Sequence, residues 1–161
     1  MGLDMYLDRH IYVGAQFEWR KCNIPRTIEV QDSFDDENPK ISTIEVNPDR
    51  ISYIVEQAIY WRKVNAIHKW FVDNVQNGVD EGGMYYVSYS QLGELLELCE
   101  WVLDNKDEAE TALPTQAGFF FGSTEYNEWY FKDIEFTKNQ LEELLNKSNA
   151  KDCSYYYTAS W

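Results

Sequence analysis

The chain has 161 residues, of which 44% are hydrophobic and 16% aromatic, and its formal net charge is −14. That length suits one domain with a proper core, and that composition is globular rather than disordered. The charge argues against direct binding to nucleic acid or to an anionic membrane surface, and it suits a basic partner.

No run approaches the ~18 apolar residues of a membrane span. The opening MGLDMYLDRH has neither a basic n-region nor an apolar h-region, so no signal peptide is expected. Cys22, Cys99 and Cys153 are far apart and odd in number, which predicts free thiols in a reducing cytoplasm. With His10 and His68 they offer no metal-ligand spacing, so neither metal nor cofactor is expected.

From the start, Leu3 to Val13 alternates as a strand, with Leu3, Met5 and Leu7 on one face and Asp4, Tyr6 and Asp8 on the other. Ile28 to Val30 reads as a short strand. Residues 31–40, QDSFDDENPK, form the most polar stretch and are expected as an exposed acidic loop. Ile41 to Val46 alternates again, and Asn47-Pro48-Asp49 is a turn. Residues 51–59 read two ways. Ile51, Tyr53 and Val55 suggest a strand, whereas Asn47 followed by Pro48 would open a helix of about 29 residues running onward. The strand or a broken helix is preferred.

The stretch YWRKVNAIHKWFVDNVQ, Tyr60 to Gln76, carries the clearest helical period. Tyr60, Val64, Ile67, Phe71 and Val75 fall on one arc, with Trp61 and Val72 at its edge. His68 lies inside that arc and is expected buried and hydrogen-bonded. Arg62 and Lys69 share the opposite side, and Asp73 follows Lys69 by a helical turn. Lys63 and Trp70 form a third strip off the core arc. Gly78 suits the helix end.

Further on, Met84 to Val87 is a short strand. Ser88 or Ser90 is expected to cap the next helix, Ser88 with Gln91 fitting a capping box, and its stripe is Leu92, Leu95, Leu96, Cys99, Val102 and Leu103. Cys99 reads as a small core residue. Phe119-Phe120-Phe121, between Gly118 and Gly122, predicts a short buried strand and a tight turn. Ser123 or Thr124 is expected to cap a third helix from Glu125 to about Lys147, and Glu128, Asp133 and Glu135 make that neighbourhood acidic. Such a junction has N–H groups for an anion, but without a phosphate-loop lysine a plain turn is preferred. Cys153 to Trp161 reads as a last aromatic strand docked into the sheet. Strands at both ends with helices between predict an α+β single domain over 1–161, a mainly antiparallel sheet packed with about three helices.

MGLDMYL at the start, YWRKVNAIHKWFVDNVQ in the middle, LPTQAGFFFGSTEY and the Tyr-rich C-terminus together resemble a group of small acidic proteins encoded by bacteriophages and prophages. The resemblance spans most of the chain except roughly residues 14–47. It implies action in the cytoplasm of an infected bacterium, in the host–phage contest or in phage metabolism. It carries over no catalytic residues.

Two functions are weighed above an enzymatic one. The first is a non-enzymatic binder in which Arg62, Lys63 and Lys69 meet the phosphate of a nucleotide-type ligand and Trp61 and Trp70 offer ring faces. The alternative is an inhibitor whose acidic faces occupy a basic host protein. An enzyme using Glu56, His68 or Tyr60 as acid or base ranks last, because no nucleophile–base pair or metal set stands out. Nothing in the sequence sets the oligomeric state.

Overall fold

The computed structural model describes residues 2–14, 17–19, 26–32 and 40–161. Contacts divide the chain into two compact units, one of residues 1–11 with 55–161 and the other of residues 12–54.

The larger unit is built on a sheet of four strands in the order β4-β1-β6-β5. These are β1 (Asp4–Tyr12), β4 (Tyr53–Arg62), β5 (Tyr85–Val87) and β6 (Ser154–Ser160). β6 runs antiparallel to β1, with Met5 opposite Ala159 and Leu7 opposite Tyr157, and also antiparallel to β5, with Val87 opposite Tyr155. At the other edge the Lys63 N–H donates to the Leu3 carbonyl and the Tyr60 hydroxyl to Asp4, so β4 also runs antiparallel to β1. The α+β class and the placing of both terminal strands in this sheet therefore hold.

Strand alternation explains the core directly. Leu3, Met5 and Leu7, then Ile59 and Trp61, Val87, and Tyr155 and Tyr157 are all buried on one face. Onto them pack α1 (Asn65–Asn74), α2 (Tyr89–Asp104) and α4 (Glu128–Leu145), while α3 (Ala109–Ala112) is a single turn. The opposite face carries a run of rings, with Tyr6 against Tyr60 at 5.3 Å and Tyr156 touching both His10 and Tyr86.

α2 begins as its sequence requires, with Ser88 and Gln91 closing a capping box, and it buries Leu92, Leu95, Cys99 and Val102. The helix expected from Tyr60 instead begins at Asn65. Tyr60, Trp61 and Arg62 are the end of β4, and the favoured strand reading of the preceding residues is the right one. The helical period misleads here because Tyr60 and Val64 are spaced alike in both readings. The actual break is Lys63, whose φ of 60° interrupts strand and helix together.

α4 starts at Glu128, not Glu125, because Asn127 is the cap: its side chain accepts from the N–H groups of Trp129 and Tyr130. Ser123 instead accepts from the Glu125 N–H, a local turn. The three phenylalanines form a turn rather than a buried strand. Phe119 is 94% exposed, and only Phe121 is buried. The Phe121 N–H donates to the Gly118 carbonyl, and its ring lies where a Gly118 Cβ would come within 2.6 Å.

The smaller unit holds the hairpin of β2 (Thr27–Asp32) and β3 (Lys40–Glu45), antiparallel with Ile28 opposite Ile44. Asn47 caps a single 3₁₀ turn over Pro48–Arg50. Of the expected acidic loop at 31–40, residues 33–39 lie outside the described residues, and residues 31, 32 and 40 belong to the strands. Cys22 also lies outside them.

Candidate functional site

The β4–α1 junction opens one wall of a cleft of about 180 Å³. Arg62, Lys63, Asn65, Trp129 and Asp133 are among its lining residues, with Gly122, Ser123 and Glu125 on the loop that leads into α4. Two of the five residues expected to bind a ligand, Arg62 and Lys63, therefore meet in a cavity, and both are exposed. Arg62 also approaches Asp4, at 3.8 Å.

The other three go elsewhere. Trp61 is 1% exposed, and its indole N–H donates to the Thr137 hydroxyl at 2.9 Å. Trp70 is 8% exposed and packs edge-on against Phe71, so neither ring offers a face to a ligand. Lys69 is engaged by Asp73 at 2.6 Å, one helical turn on. Trp61 points inward with Ile59 on the core face of β4, and Trp70 is buried because α1 is covered on more than one side, which a single-arc helical wheel does not anticipate.

What holds the cleft in shape is a small set of polar contacts. Asn65 is buried, and its amide N–H groups donate to the carbonyls of Phe121, at 3.0 Å, and Ser123, at 2.8 Å. Its side-chain oxygen accepts the Gln116 N–H at 3.1 Å. One side chain thereby ties the 115–124 loop to the start of α1. Behind the cleft, within α4, the buried Thr137 hydroxyl, which receives the Trp61 N–H, donates to the Asp133 carbonyl at 2.8 Å. This chain of hydrogen bonds links β4 to α4.

The cleft carries both signs of charge. Positive are Arg62, Lys63 and the first turn of α1, where Val64 at the cap position offers no side-chain acceptor to the N–H groups. Negative are Glu125 and Asp133. Burial raises the Asp133 carboxyl from 3.8 to about 6, and Arg62 pairs with Asp4 instead. Its carboxylate makes no hydrogen bond or ion pair among the described residues. Trp129 stands at the rim, 70% exposed, with the Lys132 ammonium 4.6 Å from its ring. Asn65, Trp129 and Asp133 are the members that the sequence reading missed. The acidic character around Asp133 is visible in the sequence; its meeting with two cations in one cleft is not.

The residues considered as acid or base do not converge. Glu56 holds the buried Arg9 at 3.1 Å, and Arg9 also donates to the Cys153 sulfur and to Asn149. Tyr60 donates to Asp4 at 2.5 Å, and this hydrogen bond raises its hydroxyl above the ordinary range. His68 is fully buried, as its place on the helix arc requires. Its Nε2–H donates to Asp80 at 3.0 Å and its Nδ1 accepts the Tyr157 hydroxyl at 2.7 Å, the tautomer that a carboxylate partner dictates. Tyr157 is itself buried and stacked on Phe71, and burial holds its hydroxyl well above its usual value. This network fastens α1 to β6.

Among the described residues no group of His, Cys, Asp and Glu is arranged to hold a metal, and no helix is long and apolar enough to cross a membrane. No family model, no curated protein and no solved structure matches the chain.

Proposed function

We propose that the protein is a non-enzymatic binder of a small phosphorylated, nucleotide-type ligand, and that it is phage-encoded and acts in the host cytoplasm. The carrying observation is the convergence of Arg62, Lys63 and the uncapped first turn of α1 on one cleft in a chain of net charge −14. Charge-assisted hydrogen bonds from such groups suit a phosphate. Trp129 at the rim replaces Trp61 and Trp70 as the ring on which a base would stack. The phage origin and the host compartment rest on the resemblance of the sequence motifs.

Thermal stability in the presence of a panel of nucleotides tests this reading. A ligand at 100 times its Kd adds about 2.7 kcal/mol. Arg62→Ala and Lys63→Ala should each remove roughly 1.5–3 kcal/mol of binding. Lys69→Ala should leave it unchanged. Equal binding by all three variants would overturn the phosphate reading.

One observation favours a second reading, an acidic inhibitor that occupies a basic host protein. The open sheet face places Tyr6, Tyr60 and Tyr156 beside Asp4 and Asp8, rings and carboxylates that suit arginine side chains. Substituting Tyr6 and Tyr156 with Ala would abolish capture of such a partner and leave nucleotide binding intact.

A further inference from the structure

Charges of both signs lining one small cleft make it a poor host for a bare anion. A free phosphate would gain Arg62 and Lys63 yet share the cavity with Asp133 and Glu125. Coulombic repulsion from those carboxylates offsets part of the gain. Asp133 also has no hydrogen-bond or ion-pair partner among the described residues, whereas Glu125 in the same lining accepts from the Asn127 amide and Arg62 approaches Asp4. A half-buried acceptor without a donor costs free energy until a donor arrives.

The cleft holds about 180 Å³, room for a phosphate and the few atoms attached to it. The remainder of a larger ligand would leave past Trp129. A donor on those first few atoms, a hydroxyl or an amine, would face Asp133. Polyphosphates fit badly, because each added negative charge meets the same carboxylates and the same net charge of −14.

We propose that Asp133 is the residue that selects among phosphorylated ligands, accepting a hydrogen bond from a hydroxyl or amino group of the same small phosphomonoester whose phosphate lies against Arg62 and Lys63. This rests on the phosphate reading of the cleft. The class it names is the polyhydroxylated phosphomonoester, either a sugar phosphate or the sugar-phosphate part of a nucleoside monophosphate.

Calorimetric titration of the intact chain with inorganic phosphate, ribose 5-phosphate and adenosine 5′-monophosphate decides it. Ribose 5-phosphate should bind about tenfold or more tighter than phosphate, the value of one charge-assisted hydrogen bond. Asp133→Ala should reduce that ratio to within about twofold while phosphate itself binds as well or better. Asp133→Asn, which keeps an acceptor without the charge, should restore part of the ratio. Extra affinity for the nucleotide that Trp129→Ala removes would assign the nucleoside monophosphate as source; equal affinity of the two esters would assign the sugar phosphate. An unchanged ratio in Asp133→Ala, with phosphate binding still sensitive to Arg62→Ala and Lys63→Ala, would overturn the role of Asp133 and leave the phosphate reading standing. Absence of binding by all three probes at roughly millimolar concentration, with the fold intact by circular dichroism, would overturn both.

Discussion

Lys63 and Gly122 lie against one another in the lining of the cleft: a Cβ placed on Gly122 would lie 3.2 Å from the Lys63 Cβ and 3.4 Å from its carbonyl oxygen. Both residues have left-handed backbones, with φ of 60° at Lys63 and 89° at Gly122. The strand-to-helix break and the glycine turn are thus fitted to one another, and each depends on the other's conformation. Gly122→Ala should therefore cost about 1–3 kcal/mol in urea denaturation, from strain at positive φ and from crowding. A cost below about 0.5 kcal/mol would show that the loop simply moves away.

Lys63→Gly separates strain from charge. Glycine relieves the left-handed strain of about 1 kcal/mol but loosens the unfolded chain by a similar amount. Stability should change by less than about 1 kcal/mol while ligand binding falls. Loss of binding together with loss of fold would contradict the assignment of Lys63 as a binding residue.

The hydrogen bond from Trp61 to Thr137 is buried at both ends. Thr137→Val keeps the volume and removes the acceptor, leaving an indole N–H unpaired at a cost of about 1–3 kcal/mol. Thr137→Ser should recover most of it. If valine and serine behave alike in denaturant, the bond contributes little.

Asp133 should give stability a specific pH dependence. Its folded value of about 6 lies above the ordinary 3.8, so the folded state binds the proton more tightly. The destabilisation is full above pH 6, falls as pH drops through 6, and is gone below about pH 4. Asp133→Asn should stabilise the protein by about 1 kcal/mol at neutral pH, a figure discounted for the group's half exposure. That advantage should vanish in acid. A difference constant from pH 4 to pH 7 would show that Asp133 is an ordinary surface carboxylate.

Asn65→Ala removes both donors to the 121 and 123 carbonyls and the acceptor for the Gln116 N–H. Faster amide exchange should appear over 115–124 first, with a global cost of roughly 2–4 kcal/mol. Exchange confined to α2 would place the role of Asn65 elsewhere.

Thiol reactivity should divide the cysteines. Cys99 is fully buried and its thiol is pushed up to about 12 by burial, so it should resist alkylation until the chain unfolds. Cys153 is partly exposed and should react in the folded protein. Mass spectrometry at increasing denaturant reads both.

Much of this fold follows from local pattern. The inward set Leu3, Met5 and Leu7 is fixed by strand alternation, and the Ser88–Gln91 cap and the Leu92-to-Val102 stripe by helical period, because those forces act between residues near in sequence. The burial of His68 follows from the same period. Only tertiary structure decided that Tyr60 to Arg62 end a strand, since hydrogen bonds to β1 outweigh a helical spacing that the residues also satisfy. Likewise it decided that Trp61 is core, because it lies on the inward face of β4, and that Trp70 is core and Trp129 surface, because a wheel ranks faces of one helix but not the number of neighbours that cover it. The cleft is the extreme case. Arg62 and Lys63 lie some seventy residues from Asp133 in the chain, and the loop held by Asn65 and Gly122 brings them to one cavity. No local spacing encodes that meeting; it exists only once β4 and α4 are joined through Trp61 and Thr137.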